Sequence, residues 1–180
     1  MEGNRLWRRA TLPAVLAFSI VAPMSDATTS VAPLTLQELV GLSDLVVHGR
    51  VLDVRSYREE SRIFTRVEVS VTEAIKGELS SQAVSLEFYG GLHDGIATIV
   101  IGAPSMCMDE EMVVFLKEKR PGLYHVVSLA EGKFSVVRDG DGPPLVERDL
   151  HGIRYMNPDP RSPLPQTLEA LKAAIESSVR

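Results

Sequence analysis

One run of alternating residues limits what this chain can fold into. In "RIFTRVEVSV", residues 62–71, apolar or β-branched residues occupy every second position and most of the positions between them are polar. Side chains of a strand alternate between two faces, so this pattern predicts a half-buried β-strand. The predicted buried face carries Ile63, Thr65, Val67, Val69 and Val71, and the other carries Arg66, Glu68 and Ser70.

Six further runs have the length and composition of strands. Gly, Pro or charged clusters separate them, and a polar hairpin loop is predicted at "RSYREES", residues 55–61. Short strands with turn signals at such intervals favour an antiparallel barrel or sandwich. The six runs are "DLVVHGRVLDV", "AVSLEFYG", "GIATIVIG", "MVVFLK", "LYHVVSLA" and "KFSVVRD".

Two helices are expected at the ends of this β-rich region. Thr35 is followed three residues later by Glu38, which is the spacing of a capping box at a helix start. Near the C-terminus an apolar stripe recurs at helical spacing, so residues 164–180 are predicted to form an amphipathic helix that packs on the same domain. The stripe consists of Leu164, Leu168, Leu171 and Ile175.

The two remaining segments are predicted to lie outside the β-domain, which would span residues 28–139. Residues 1–27 have the pattern of a signal peptide: Arg5, Arg8 and Arg9 precede a short apolar run that is interrupted by two prolines. Cleavage after Ala27 would give an exported protein, periplasmic or secreted; an uncleaved membrane anchor is the alternative. Residues 140–163 are rich in proline and are predicted to form an extended connection.

Charge and cysteine content exclude several classes of protein. Without residues 1–27 the chain has 16 basic and 22 acidic residues, a net charge of −6. Nucleic acids and anionic membranes attract clustered Lys and Arg, so neither is an expected partner. No stable membrane span is expected after signal cleavage. The single cysteine cannot form an internal disulfide, so the fold must be stabilised by its core.

The stretch "GAPSMCMDEEMVVFL", residues 102–116, holds the only cysteine between two methionines. On a strand Met106 and Met108 would point away from Cys107, so no soft-metal site is expected. The acids that follow disfavour a thiolate nucleophile. Cys107 is therefore predicted to be a buried or partly buried apolar residue, and the alternative is an interaction thiol that bridges to a partner. Asp109 and Glu110 are predicted to form a turn.

No other residue pattern indicates catalysis, a metal or a cofactor. The histidines His48, His93, His125 and His151 are spread over separate elements without metal-binding spacing, and each is expected at the surface or the core edge. Adjacent acids, such as Glu110 with Glu111, are expected to be solvated. In "YGGLHDG" three glycines permit a tight exposed loop, so His93 and Asp94 are a candidate interaction loop, although a purely structural hairpin tip is the competing interpretation.

Four stretches in order carry a resemblance to a known family: "SDLVVHGRVLDV", "FTRVEVSVTEAIKGE", "EEMVVFLKEK" and "VVSLAEGKFSVVRD". The chain resembles a group of exported bacterial proteins of unassigned function that are similar to the barrel module of tissue inhibitors of metalloproteinases. The resemblance covers roughly residues 36–138 and implies an OB-like Greek-key barrel. Those inhibitors chelate zinc through an N-terminal cysteine, which the expected mature start "TTSVAP" lacks, so that mechanism is not implied.

Three functions are compatible with these observations. The first is a non-enzymatic exported β-barrel that binds another protein, with an extracytoplasmic metallopeptidase as the candidate by analogy. The second is a small-ligand or oligosaccharide-binding barrel, which would need an apolar pocket lined by aromatic residues. The third, a hydrolase, would need polar residues that converge in a cleft. The sequence does not indicate the oligomeric state.

Overall fold

The computed structural model describes residues 29–31, 33–150, 153–155 and 164–179. The predicted signal peptide, residues 1–27, lies outside the described residues, as do His151 and parts of the proline-rich connection. In the described part of the chain, no helix has the length and apolar character that crossing a membrane would require.

The described residues form a mainly β fold with two α-helices, as predicted. The helices are α1, Leu36–Leu42, and α2, Leu168–Val179, and a short 3-10 helix covers Leu129–Gly132. The strands are β1 Thr29–Val31, β2 Leu45–Glu59, β3 Arg62–Lys76, β4 Ala83–Tyr89, β5 Gly91–His93, β6 Ile96–Thr98, β7 Glu111–Arg120, β8 Leu123–Val126, β9 Lys133–Val137, β10 Leu145–Glu147 and β11 Ile153–Tyr155.

Seven strands form the main sheet in the order β10-β9-β7-β2-β3-β4-β8, and β7 pairs in addition with β8. All of these pairs are antiparallel except β4 with β8. The remaining described strands form two small sheets, β1 with β11 and β5 with β6. Strand β7 therefore contacts three neighbours and lies at the centre of the fold.

Several strand bounds differ from the predicted runs; β3, for example, continues past Val71 to Lys76. Residues 95–102 form a strand only over Ile96–Thr98, which pairs with β5 and not with the main sheet. Strand β8 ends at Val126, before left-handed backbone at Ser128 and Leu129. Conversely, β2 continues to Glu59, so the loop predicted over residues 55–61 shrinks to a two-residue turn.

The core consists of two clusters on opposite faces of the sheet. Strand β7 alternates between them: Met112, Val114 and Leu116 enter the inner cluster, and Val113 and Phe115 enter the helix-side cluster. The inner cluster also contains Leu45, Val47, Val51, Val67, Val69, Val84, Leu86, Met106 and Val126. The helix-side cluster also contains Leu39, Val40, Val46, Val127, Phe134, Leu168, Leu171 and Ile175.

Both helices cover the helix-side cluster. At the start of α1 the predicted capping box is confirmed, because the Glu38 amide donates to Thr35 Oγ1 at 3.2 Å and the Thr35 amide donates to Glu38 Oε2 at 2.7 Å. Helix α2 buries Leu168, Leu171 and Ile175, which are three of the four stripe residues. Full burial of such side chains stabilises by about 1.5–3 kcal/mol each, so the three together outweigh a helix cap, which contributes about 0.5–2 kcal/mol.

The alternation of β3 yields a stability prediction. Val67 is fully buried in the inner cluster, whereas Glu68 is half-buried and accepts a hydrogen bond from Ser85 at 2.7 Å. We expect Val67→Asp to unfold the domain, since an unpaired buried carboxylate costs several kcal/mol out of a total stability of about 5–15 kcal/mol. Glu68→Ala should cost about 1 kcal/mol. Thermal melts that coincide for the two variants would contradict this register.

Candidate functional site

The predicted loop at His93 and Asp94 is the tip of a β-hairpin formed by β5 and β6. Asp94 and Gly95 have φ values of 48° and 74°, which is the left-handed backbone that a tight two-residue hairpin turn requires. The half-buried His93 places Nδ1 3.2 Å from the Ser56 carbonyl oxygen, while Asp94 is exposed. The hairpin is thus held against β2 on one side and reaches solvent at its turn.

Three large aliphatic side chains are exposed on this hairpin and the segment after it. Leu92, Ile96 and Ile99 are 65%, 52% and 85% exposed, respectively. Strand pairing places Leu92 beside Ala97 and Ile96 beside His93, so Leu92 and Ile96 lie on opposite faces of the hairpin. Both faces of the hairpin therefore expose an aliphatic side chain. The run "GIATIVIG" contains Ile96 and Ile99, and the sequence predicts it only as a strand. We call residues 91–99 the apolar hairpin.

A row of aromatic rings crosses β2, β3 and β4. Strand pairing places Phe64 opposite both Tyr57 and Tyr89. The ring centroids are 6.0 Å apart for Tyr57 with Phe64 and 5.6 Å apart for Phe64 with Tyr89. Such cross-strand aromatic pairs stabilise a sheet. The sequence does not predict this row, because Tyr57 falls in the expected loop, although Phe64 on the polar face of β3 is a visible signal.

Beside this row, Glu87 forms the centre of a polar cluster that we call the Glu87 cluster. The carboxylate is only 5% exposed and accepts hydrogen bonds from the Tyr57 hydroxyl, from Arg66 Nη2 at 2.9 Å and from Lys119 Nζ at 2.7 Å. Both cations also lie over rings, Arg66 over Tyr57 at 5.2 Å and Lys119 over Phe64 at 5.6 Å from the centroid. Four strands therefore contribute to one charged group.

The electrostatics of the Glu87 cluster favour its ionised form. Burial alone would raise the pKa of Glu87, but the hydrogen bonds from Lys119, Tyr57 and Arg66 outweigh it and lower the pKa to about 2. Burial, together with the hydrogen bond to Glu87, raises the pKa of the Tyr57 phenol. The cluster therefore contains a carboxylate, two cations and a neutral phenol at neutral pH.

A cleft opens where β4 and β8 separate. Their pairing includes Ser85 with Leu123 and Leu86 with Tyr124, and β4 then continues to Tyr89 while the chain turns away after Val126. The cavity has a volume of about 390 Å³. Its lining is Phe64, Glu87, Phe88, Tyr89, Pro104, Lys119, His125, Val126 and Leu129. The cleft thus combines an apolar interior with three polar groups, two of which belong to the Glu87 cluster.

The prediction that Glu110 and Glu111 are solvated is wrong. Glu111 is paired with His48 at 2.8 Å, with Arg138 at 2.7 Å and with Arg50 at 3.2 Å. Hydrogen bonding from Arg138 and His48 overcomes the effect of burial and lowers the pKa of Glu111 to about 2.

Glu110 has separate partners, Lys133 at 2.5 Å and Ser135 at 2.7 Å. Consecutive residues of extended backbone point to opposite faces, so each carboxylate finds its own cation.

The histidines are not brought together. His48 is 6% exposed rather than at the surface, because its partner Glu111 lies beside it on the neighbouring strand. His125 is exposed at the cleft and His93 is at the hairpin. Among the described residues, no group of three or more His, Cys, Asp or Glu side chains could hold a metal ion.

Cys107 is exposed, so the prediction of a buried or partly buried cysteine is wrong. Residues 103–107 are irregular rather than strand, and Met106 is the side chain of this stretch that enters the inner cluster. The Cys107 amide donates to Glu110 Oε2 at 3.0 Å, which fixes the turn before β7. As predicted, Asp109 lies in that turn, where its φ is 62°.

Comparison with known proteins found no protein-family model that matches the chain and no curated protein that matches it.

The lowered pKa of Glu87 yields a prediction about acid stability. A carboxylate with an ordinary pKa of 4.5 when unfolded and about 2 when folded stabilises the fold above pH 4.5, and this stabilisation disappears as the pH falls toward 2. We expect Glu87→Gln to lower the free energy of unfolding at pH 7 by about 3 kcal/mol. Denaturant titrations at several pH values should show a shallower acid decline for Glu87→Gln than for wild type.

The exposed Glu78 provides the control for this measurement. Glu78→Gln should follow the wild-type stability curve, and some acid dependence should remain in Glu87→Gln because Glu111 titrates in the same range. An equally steep acid decline in Glu87→Gln and wild type would contradict the proposed role of the cluster.

Exposure of Cys107 yields a second prediction. We expect Cys107→Ser to change the free energy of unfolding by less than about 0.5 kcal/mol, because no buried contact is lost at a surface position. Chemical denaturation of the reduced proteins measures this. A loss of several kcal/mol would show that the thiol is buried in solution. Non-reducing electrophoresis of the freshly isolated protein tests separately whether the thiol bridges to a partner.

Proposed function

We propose that the protein is an exported, non-enzymatic binding protein built on an OB-like barrel, and that it binds another protein through the apolar hairpin. Export rests on the pattern of residues 1–27. The observation that carries the binding proposal is the exposure of Leu92, Ile96 and Ile99 on a hairpin with a well-defined turn.

The strand pairings support the OB-like barrel. They run from β7 to β2, β3, β4 and β8, and β8 pairs again with β7. In this circuit β4 with β8 is the parallel pair. An OB-fold is a five-stranded, partly open Greek-key barrel, and this circuit of five strands supports that assignment. The cleft between β4 and β8 would be the open part of the barrel.

Two properties of the apolar hairpin support binding to a protein. Its aliphatic side chains can bury surface against a partner without the cost of desolvating charges, and this burial drives most protein association. The contact between His93 and Ser56 and the turn at Asp94 and Gly95 hold the hairpin in one conformation, so little entropy is lost on binding. The resemblance to metalloproteinase inhibitors makes an extracytoplasmic metallopeptidase the first candidate partner.

The test compares two triple variants of the mature protein. The hairpin variant is Leu92→Ser, Ile96→Ser and Ile99→Ser. The control variant removes three exposed aliphatic side chains that lie elsewhere on the surface: Leu42→Ser, Leu145→Ser and Val179→Ser. Binding to a purified extracytoplasmic metallopeptidase of the source organism is measured by surface plasmon resonance, and inhibition of peptide hydrolysis is recorded in parallel.

We expect wild type and the control variant to bind equally and the hairpin variant to bind at least tenfold more weakly, since truncated interface anchors cost about 1–2 kcal/mol or more. Equal affinities for all three proteins would refute the role of the hairpin. If wild type binds none of the metallopeptidases tested, the partner class suggested by the resemblance is wrong.

A further inference from the structure

We infer that the cleft between β4 and β8 is a second binding site, independent of the apolar hairpin, that takes a small amphiphilic carboxylate. The apolar body of the ligand would lie among the cleft's aromatic and aliphatic side chains, and its carboxylate would lie beside Lys119. Neither part of this site is needed for the proposed protein binding.

The backbone creates the cleft, so the cleft does not depend on the position of a single side chain. Strand β4 extends three residues beyond Leu86, the last residue paired with β8. On the other side, His125 and Val126 continue β8 but pair with Lys117 and Leu116 of β7 rather than with β4. After Val126 the chain turns away, since Ser128 and Leu129 have φ values of 54° and 56°. The end of β4 therefore diverges from β8, and the gap between them is set by the backbone.

The interior of the cleft suits an apolar group. Six of its lining residues are apolar or aromatic: Phe64, Phe88, Tyr89, Pro104, Val126 and Leu129. A volume of about 390 Å³ is within the range of small-molecule sites, which combine apolar walls with a few polar groups that orient the ligand. Tyr89 is 45% exposed, which is consistent with a wall that a ligand can reach from solvent.

The positive charge at the mouth of the cleft favours a ligand with an anionic group. Glu87 is the acid among the lining residues, and it already contacts both Arg66 and Lys119, so these three side chains carry a net charge of +1. The protein as a whole has a net charge of −5, which makes this positive excess a local feature. The ammonium group of Lys119 has three N–H donors, and the structure shows one of them bonded to Glu87. The carboxylate of a ligand can accept a hydrogen bond from another.

Other ligand classes fit the cleft less well. A cationic ligand would meet the like charge of Lys119. A sugar has hydroxyl groups on every side, whereas the polar lining consists of Glu87, Lys119 and His125, and burial of unpaired hydroxyls is costly. A purely apolar ligand would gain from burial but would not use Lys119, which is half exposed at the mouth. An apolar body with one anionic group uses both parts of the site.

The experiment uses three probes that separate the two parts of such a ligand. Octanoate has both the apolar body and the carboxylate, 1-octanol has the body alone, and acetate has the carboxylate alone. Isothermal titration calorimetry measures their affinity for the mature protein, and amide chemical shifts locate the site. We expect octanoate to bind at least tenfold more tightly than octanol, acetate not to bind, and the shifts to centre on Phe88, Val126 and Leu129.

Two lysines on β7 provide matched variants. Lys119→Gln removes the cation at the cleft, whereas Lys117→Gln removes the cation that pairs with Asp44 at 2.9 Å. We expect Lys119→Gln to weaken octanoate at least tenfold while octanol affinity stays unchanged, Lys119→Arg to restore octanoate binding, and Lys117→Gln to behave as wild type. Tyr89→Ala should weaken octanoate and octanol alike, because it removes part of the apolar wall.

Three results would overturn the inference: no octanoate binding to wild type, equal affinity for octanoate and octanol, or shifts that centre away from the cleft. Equal octanoate affinity in Lys119→Gln and Lys117→Gln would overturn the role of Lys119. If Lys119→Gln does not fold because Glu87 loses a partner, the comparison of probes on wild type and the shifts still decide the matter.

Discussion

Strand β7 is buried on both faces, and the rest of the fold is arranged around this constraint. All five residues from Met112 to Leu116 are inaccessible to solvent. A strand in that position needs an apolar residue at every place rather than at every second one, which "MVVFL" supplies. One face is covered by the inner cluster and the other by the two helices. Its backbone is paired with β2, β8 and β9, which satisfies the polar groups that burial removes from water.

Charged residues begin on β7 where its burial ends, and they link it to other strands. At the first residue, Glu111 reaches His48 on β2 and Arg138 just after β9. Toward the other end, Lys117 pairs with Asp44 and Lys119 pairs with Glu87 on β4. A shift of β7 by one residue would exchange its two faces and break all of these pairs together. A shifted register would lose these pairs together and leave partly buried charges unpaired, which strongly disfavours it.

Local patterns predicted the elements whose formation depends on local rules. The capping box at Thr35, the stripe on α2 and the alternation in β3 were visible because helix and strand periods are properties of the sequence. Strand lengths were less predictable. No local pattern shows that β2 continues through the polar stretch to Glu59, because this continuation depends on pairing with β3. The apolar run at 95–102 fails as a core strand because no strand of the main sheet pairs with it.

The candidate sites were less predictable than the fold, since they depend on which strands become neighbours. Glu87, Arg66 and Lys119 are far apart in sequence, and each alone has the appearance of a surface charge. Only the order β2-β3-β4-β8 and the return to β7 bring them to one point. The same reasoning explains the error at Cys107, whose exposure follows from the irregular path that brings Met106 rather than its neighbour into the inner cluster.

Burying the charges of the Glu87 cluster requires their removal from water, which costs free energy. Replacing a buried ion pair by apolar residues is often neutral or stabilising, so stability alone gives no reason to keep a carboxylate with two cations at this place. What the cluster does provide is a fixed position for Lys119 at the mouth of an apolar cleft. Tyr89 lines that cleft and is followed by Gly90 and Gly91, with φ values of 106° and 131°, where the apolar hairpin begins. The two proposed sites are thus distinct in chemistry but adjacent along the chain, since Tyr89 lines the cleft and the hairpin strand begins two residues later.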